Sequence, residues 1–200
     1  MQIDSTTQDE LLSKVREAYS NASDNPGGSH PFPLGFDFAV SLGYTEELLR
    51  GLPQSSVERF TGVSNVSVFA EIPAGSTVLD LGCGGGTDSL IAAGKTGSTG
   101  RVFGVDFSAS MLSNARSGAA EAGASNVEFR EAEGQQIPFA DGTFDVVLVN
   151  GIFNLNPNRH GIFQELARVI RPGGVLYGAE IILCEPMEDE ERAGLANWFS

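Results

Sequence analysis

From Thr77 onward, short apolar runs alternate with helical segments, and this rhythm limits the fold more than any other feature of the chain. The runs are TVLDL (77–81), RVFGVD (101–106), NVEFRE (126–131), FDVVLVN (144–150) and GVLYGAEIIL (174–183). Between them, SASMLSNARSGAAEAG begins on a capping serine, Ser108, and stops at Gly123. RHGIFQELARVIRPGG sets Phe163, Leu166, Ala167 and Ile170 on one face and stops at Pro172-Gly173-Gly174. Strand and helix in alternation predict right-handed βαβ units, hence an α/β fold with a doubly wound, mostly parallel sheet and helices on both faces. In such sheets ligands bind beyond the carboxyl ends of the strands, at the topological switch point. The chemistry-bearing residues should therefore follow the strands. Asp80 to Gly86 follow the first run, Asp106 closes the second, Glu133 trails the third and Asn150 closes the fourth.

Ahead of this region the pattern is less regular. Residues 7–19 carry Leu11, Leu12, Val15 and Tyr19 at helical spacing. The stretch SNASDNPGGSHPFPLGF that follows is rich in Pro, Gly, Ser and Asn and reads as a long loop, a mobile segment or a lid. TEELLRGL, from Thr45, reads as a short capped helix, and residues 53–71 have no clear period. The 200-residue length fits one compact domain, with an N-terminal helical and lid segment at 1–70 and a core at 71–200.

Twelve Lys and Arg against 26 Asp and Glu leave a net charge of −14. Such acidity repels phosphate backbones and anionic membranes, so neither nucleic acid nor membrane is an expected partner. Cys83 and Cys184 cannot alone form a disulfide framework or a zinc site, so no metal is expected, and their scarcity fits a reducing cytoplasm. The polar, acidic start MQIDSTTQDE is unlike a signal peptide. No apolar run approaches the ~20 residues of a membrane span. The expected ligand is a small molecule and the expected compartment the cytoplasm.

The segment TVLDLGCGGGTDSL offers three readings: a phosphate cradle for a dinucleotide, a seat for S-adenosylmethionine, or a plain tight turn. A dinucleotide fingerprint wants G-x-G-x-x-G. Counting from Gly82, the sixth place is Thr87, and Asp80 puts a carboxylate at the mouth of the turn, where it would repel a pyrophosphate. S-adenosylmethionine carries an ammonium and a sulfonium and no phosphate. The spacing acid-x-G-x-G-x-G, here Asp80-Leu-Gly82-Cys-Gly84-Gly-Gly86, suits it. Asp106, 20 residues after Gly86, is placed to accept both ribose hydroxyls, as an acid also does in nicotinamide enzymes.

Four stretches in order, VLDLGCGGGTDSLIAA, GVDFSASMLSNAR, NVEFREAEGQQIPFADGTFDVVLVN and FQELARVIRPGG, resemble the class I, Rossmann-like S-adenosylmethionine methyltransferases over residues 70–185. The resemblance implies that Glu133 and Gly134 lie against the adenine, and that Asn150 and Gly151 flank the methionyl end. Cys83, Asp88, Phe107 and Met111 complete the implied cofactor neighbours, and Asp145 is a structural residue. GYTEELLRGLP, the TD after the glycines, and NGIFNLNPNRHGIFQELARVIRPGG are similar to the arsenite methyltransferase branch, whose members hold trivalent arsenic with thiolates. Here Val63 and Gly151 stand where that branch has cysteines, so arsenite is not the expected acceptor. Gly151 leaves space that Phe32, Phe36 and Phe153 are expected to line.

That family fold continues past the fifth strand with a helix and two further strands. EPMEDEERAGLANWFS is expected to start the helix, and the strands are expected to be missing, which leaves an apolar edge suited to a homodimer. The function expected is methyl transfer from S-adenosylmethionine to an unidentified small molecule, with no catalytic residue assigned. His30 and His160, the only histidines, are the candidate general bases. A non-catalytic module that binds S-adenosylmethionine or S-adenosylhomocysteine, and a nicotinamide oxidoreductase, are the rival readings.

Overall fold

A computed structural model describes residues 5–182 and 184, with side chains from Glu10 onward. Five parallel strands form one sheet in the order β3-β2-β1-β4-β5. They are β1 (Thr77–Leu81), β2 (Arg101–Asp106), β3 (Val127–Glu131), β4 (Phe144–Asn150) and β5 (Ile170–Ala179). The central β1 and β4 are largely apolar because both of their faces are covered. Phe144, Leu79 and Leu148 are fully enclosed. The chain runs outward from β1 to β2 and β3, then crosses back to β4, so the switch point lies between the carboxyl ends of β1 and β4.

Eight helices surround this sheet among the described residues: α1 (Ser5–Asp24), α2 (Phe36–Ser41), α3 (Glu46–Arg50), α4 (Gln54–Val57), α5 (Val66–Phe69), α6 (Thr87–Thr96), α7 (Ala109–Glu121) and α8 (Arg159–Val169). Side-chain caps start several of them. Ser108 accepts from the Met111 amide, Thr45 from the Leu48 amide and Asn158 from the Gly161 amide. Asp145, at the start of β4, accepts from the Thr77 amide at 2.6 Å and pairs with Arg171, so it is structural as expected. No described helix is long and apolar enough to cross a membrane.

Two expected boundaries shift. Helix α1 runs on to Asp24, past the expected end at residue 19, although Ser, Asn and Asp are weak helix formers. Tertiary contacts hold the added turn: Ala22 and Ser23 are fully buried, and the Ser23 hydroxyl meets Ser110 and Asn114 of α7. At the other end, Pro172-Gly173-Gly174 is not a helix stop. Helix α8 ends at Val169, Ile170 already pairs with Phe144, and the Pro-Gly-Gly lies in an irregularity before Val175 pairs with Val146. Strand β5 ends at Ala179 because its partner β4 ends at Asn150. The expected strand residue Leu183 and the helix expected from Glu185 lie outside the described residues.

Gly86, one of the expected cofactor neighbours, makes room for packing. It starts α6 at φ +87°, and a β-carbon there would lie 3.1 Å from Ala115 and 3.2 Å from Phe129. Gly86→Ala is expected to destabilise the fold by at least the ~1–2 kcal/mol of a left-handed alanine. Urea unfolding measures this, and an unchanged midpoint would contradict the packing role.

Candidate functional site

The carboxyl ends of β1 to β4 form the floor of a cleft of about 750 Å³, its open mouth included. Gly82 and Gly84 come from the turn after β1, and Asp106 and Phe107 from the end of β2. Ala132, Glu133 and Gly134 follow β3, and Asn150, Gly151 and Ile152 follow β4. Helix α1 supplies the roof through Leu12, Val15, Arg16 and Tyr19. The loop after α1 was expected to be mobile or a lid; the residues that cover the cleft come from the helix. Tyr19 stacks on Phe32 at 4.6 Å and meets Phe107 edge-on at 6.3 Å, while Arg16 forms an ion pair with Glu133. A second, smaller arm of about 330 Å³, its open mouth included, shares Thr61, Gly82, Gly84 and Asn150 with the cleft and is lined by the glycine turn, by Arg59 to Gly62, and by Asp80, Cys83 and Asp88.

The glycine turn is wired internally. The Gly82 and Cys83 amides donate to the Val105 carbonyl at 2.7 and 3.0 Å. The Gly84 amide donates to Asp106 Oδ2 at 2.9 Å, and the Gly86 amide to the Cys83 carbonyl. These donors are therefore already committed, unlike the free amides of a phosphate cradle. At Gly82, with φ +76°, a β-carbon would lie 2.3 Å from Ile152, so the backbone must stay bare there.

Three buried carboxylates sit around this turn. Asp80 is 2% exposed and accepts from the Ser89 hydroxyl at 2.5 Å. Burial first, and the neighbouring Asp88 second, push its pKa up to about 8. Asp106 accepts from the Ser108 and Gly84 amides, yet burial still pushes it up to about 6. Each of its oxygens keeps acceptor capacity for a ligand hydroxyl. Asp88 accepts from Tyr44, Ser67 and Asn150, and burial raises its pKa also.

Asn150 has a fully committed amide. Its Oδ1 accepts from the Val63 and Ser64 amides at 2.8 and 3.1 Å, and its Nδ2 donates to the Ser64 carbonyl and to Asp88 Oδ2 at 2.7 and 2.9 Å. The side chain expected to flank a ligand thus ties the Val63–Ser64 segment to the sheet.

Of the expected cofactor neighbours, Gly82, Gly84, Asp106, Phe107, Glu133, Gly134 and Asn150 line the main cleft, and Asp80, Cys83 and Asp88 line the arm. Gly86 and Met111 line neither; Met111 is buried within α7. Cys83 also packs against Leu112 and Phe129, and burial pushes its thiol pKa up, so it stays protonated. The expected aromatic lining does not form as such. Phe36 belongs to an apolar cluster with Tyr44 and Phe60, Phe153 stacks on Phe163, and Phe32 reaches the cleft only by backing Tyr19. Neither histidine lines the cleft: His160 is exposed at the start of α8, and His30 contacts the Asn25 carbonyl. Arg16, Tyr19, Arg59 and Thr61 were missed, because they come from helical and irregular segments with no motif of their own.

Residues 72–198 match a family described as a methyltransferase domain. Among curated relatives, an arsenite methyltransferase of Halobacterium salinarum is 40% identical over 129 residues, 64% of this chain and 33% of that protein. A demethylmenaquinone methyltransferase of Lactococcus lactis is 35% identical over 100 residues, 50% of this chain and 40% of that protein. The crystal structure of an arsenic(III) S-adenosylmethionine methyltransferase from Chlamydomonas reinhardtii superposes with a TM-score of 0.69 at 28% identity, over 77% of this chain and 56% of that one. The chain thus spans well under half the length of the two curated relatives.

The buried acids set a pH dependence. Asp80 ionises at its ordinary 3.8 when unfolded and near 8 when folded. Between those values the folded state holds a proton that the unfolded state releases, so this group makes stability fall as pH rises. Unfolding free energy of the ligand-free protein is expected to drop from pH 6 to 8, and to drop less in Asp80→Asn. Equal slopes in urea titrations of the two proteins would contradict the assignment.

Proposed function

The chain belongs to the class I, Rossmann-like S-adenosylmethionine methyltransferases, and from that premise we propose that it moves a methyl group from S-adenosylmethionine to a small molecule other than arsenite. The observation that carries the reading is the pairing of a committed glycine turn with buried Asp80 and Asp106. Such a turn has acids that a cationic ligand favours in their ionised form, and few free amides for a phosphate. When bound, the cofactor supplies an electrophilic methyl on its sulfonium.

The chain's residues bind and orient. Asp106 is suited to the ribose hydroxyls, Phe107 and Glu133 to the adenine, and Asp80 in the arm to the tail ammonium. Arg16 and Tyr19, in the roof, exclude water and restrict the approach of the acceptor. These roles follow the residues' positions in the cleft and the family resemblance.

The acceptor is read from the wall opposite. A β-carbon at Gly151 would lie 2.8 Å from the Val63 side chain, so the places that carry cysteines in the arsenite branch adjoin each other. Here they hold a valine and a glycine, which give a soft metalloid ion no ligand. Ile152, Leu155, Ile162 and Leu12 make the adjoining lining apolar, which favours a neutral acceptor with an apolar body.

The test is turnover of methyl-labelled S-adenosylmethionine against a panel of small apolar nucleophiles and arsenite. Label transfer to an organic acceptor, and none to arsenite, is the expected result. Tight binding without transfer to any acceptor favours a non-catalytic binding module. Asp106→Ala is expected to weaken S-adenosylmethionine binding by ~1.5–3 kcal/mol, the worth of hydrogen bonds to a charged group. Unchanged affinity in calorimetry would remove the ribose role.

A further inference from the structure

The two edges of the sheet differ in kind. At one, β3 carries Glu128, Arg130 and Glu131, and Glu128 pairs with Arg130. Charged side chains of this sort keep an edge from pairing with another molecule. At the other, β5 has no acid along its length and no charged residue after Arg171. The next acid, Glu180, is occupied by the backbone and side-chain amides of Asn154. Among the described residues β5 pairs on one side only, with β4. The Ala179 carbonyl accepts from the Gly151 amide at 3.0 Å. Backbone groups alternate along a strand, so those of Tyr177 also face β4, while the N–H and C=O groups of Leu176 and Gly178 face away from it. Apolar side chains gather beside these open groups. Val175 is 46% exposed, and Phe69 of α5 is 48% exposed and meets Tyr177 edge-on at 6.4 Å. Ile181 and Ile182 are exposed just past the strand. The segment EPMEDEER, next in sequence, is acidic and holds a proline, a composition unsuited to pairing as a strand.

We propose that β5 is the interface of a twofold dimer, in which it pairs antiparallel with the same strand of a second copy. Three observations select a second copy. One edge per molecule is unguarded, so a like-with-like contact uses it once and closes at two, whereas head-to-tail pairing would need the charged β3 edge. A chain of net charge −14 repels its own kind, and the acid-free edge is where two copies meet with least repulsion. The strand is also self-complementary. A twofold axis at Tyr177 pairs the outward groups of Leu176 with those of Gly178 of the partner subunit. It also sets Tyr177 against Tyr177 of the partner subunit, an aromatic cross-strand pair with Phe69 beside each ring. No residue of β5 lines the cleft or its arm, so the proposal stands apart from the cofactor reading.

Sedimentation equilibrium of the full chain, combined with amide hydrogen exchange, tests this. The wild type is expected to be a dimer at micromolar concentration. The Leu176 and Gly178 amides should exchange slowly in the dimer and faster on dilution, while the Tyr177 amide, which faces β4, stays protected throughout. Val175→Lys puts a charge into the apolar contact at a side chain that the monomer already exposes. It should weaken dimerisation by about 10-fold or more and leave the urea midpoint of the monomer unchanged. Phe163→Lys, at an exposed side chain of α8, should leave the dimer intact. A monomeric wild type overturns the proposal and means that the edge stays open or that the chain's own residues cover it. A dimer that Val175→Lys leaves unchanged, or that Phe163→Lys dissolves, also overturns it, since the contact then lies elsewhere. So does exchange at Leu176 and Gly178 that is independent of concentration.

Discussion

The amide of Asn150 joins the two parts of the molecule on which the cleft depends. It sits at the end of β4, at the switch point, and its four hydrogen bonds reach Val63, Ser64 and Asp88. Asp88 is held in turn by Tyr44, between α2 and α3, and by Ser67 of α5. One buried network therefore fixes the irregular segment before β1 against the carboxyl ends of the strands. An amide suits this position because it donates to one neighbour and accepts from another at the same time. A carboxylate there would face Asp88 with like charge, and an apolar residue would leave buried groups unpaired.

Charge is the second constraint. Asp80, Asp88 and Asp106 are all buried near the glycine turn, and burial raises the pKa of each. A chain that gathers acids in this way spends stability on a site that selects for positive charge.

The sheet was legible in the sequence because buried parallel strands are apolar runs with sharp ends: β1, β2 and β4 begin and end where the pattern put them. The residues that follow those strands were legible for the same reason, and Asp80, Asp106, Glu133 and Asn150 do converge. What the sequence hid is tertiary. The last turn of α1 depends on the contacts of Ser23, and the Pro-Gly-Gly after α8 lies inside a strand because β4 offers Phe144 as a partner. Gly86 fits the spacing of a ligand turn, yet its missing side chain makes room for Ala115 and Phe129. Arg59 lay in a stretch with no period, and only the fold brings it to the glycines.

The central claim is that the Asp80 turn selects a sulfonium cofactor over a dinucleotide. Titration of the chain with S-adenosylmethionine and NADH, side by side at one pH and ionic strength, tests it most directly. Saturable binding of S-adenosylmethionine with no detectable heat from NADH is the expected result. Binding of NADH alone would contradict the account.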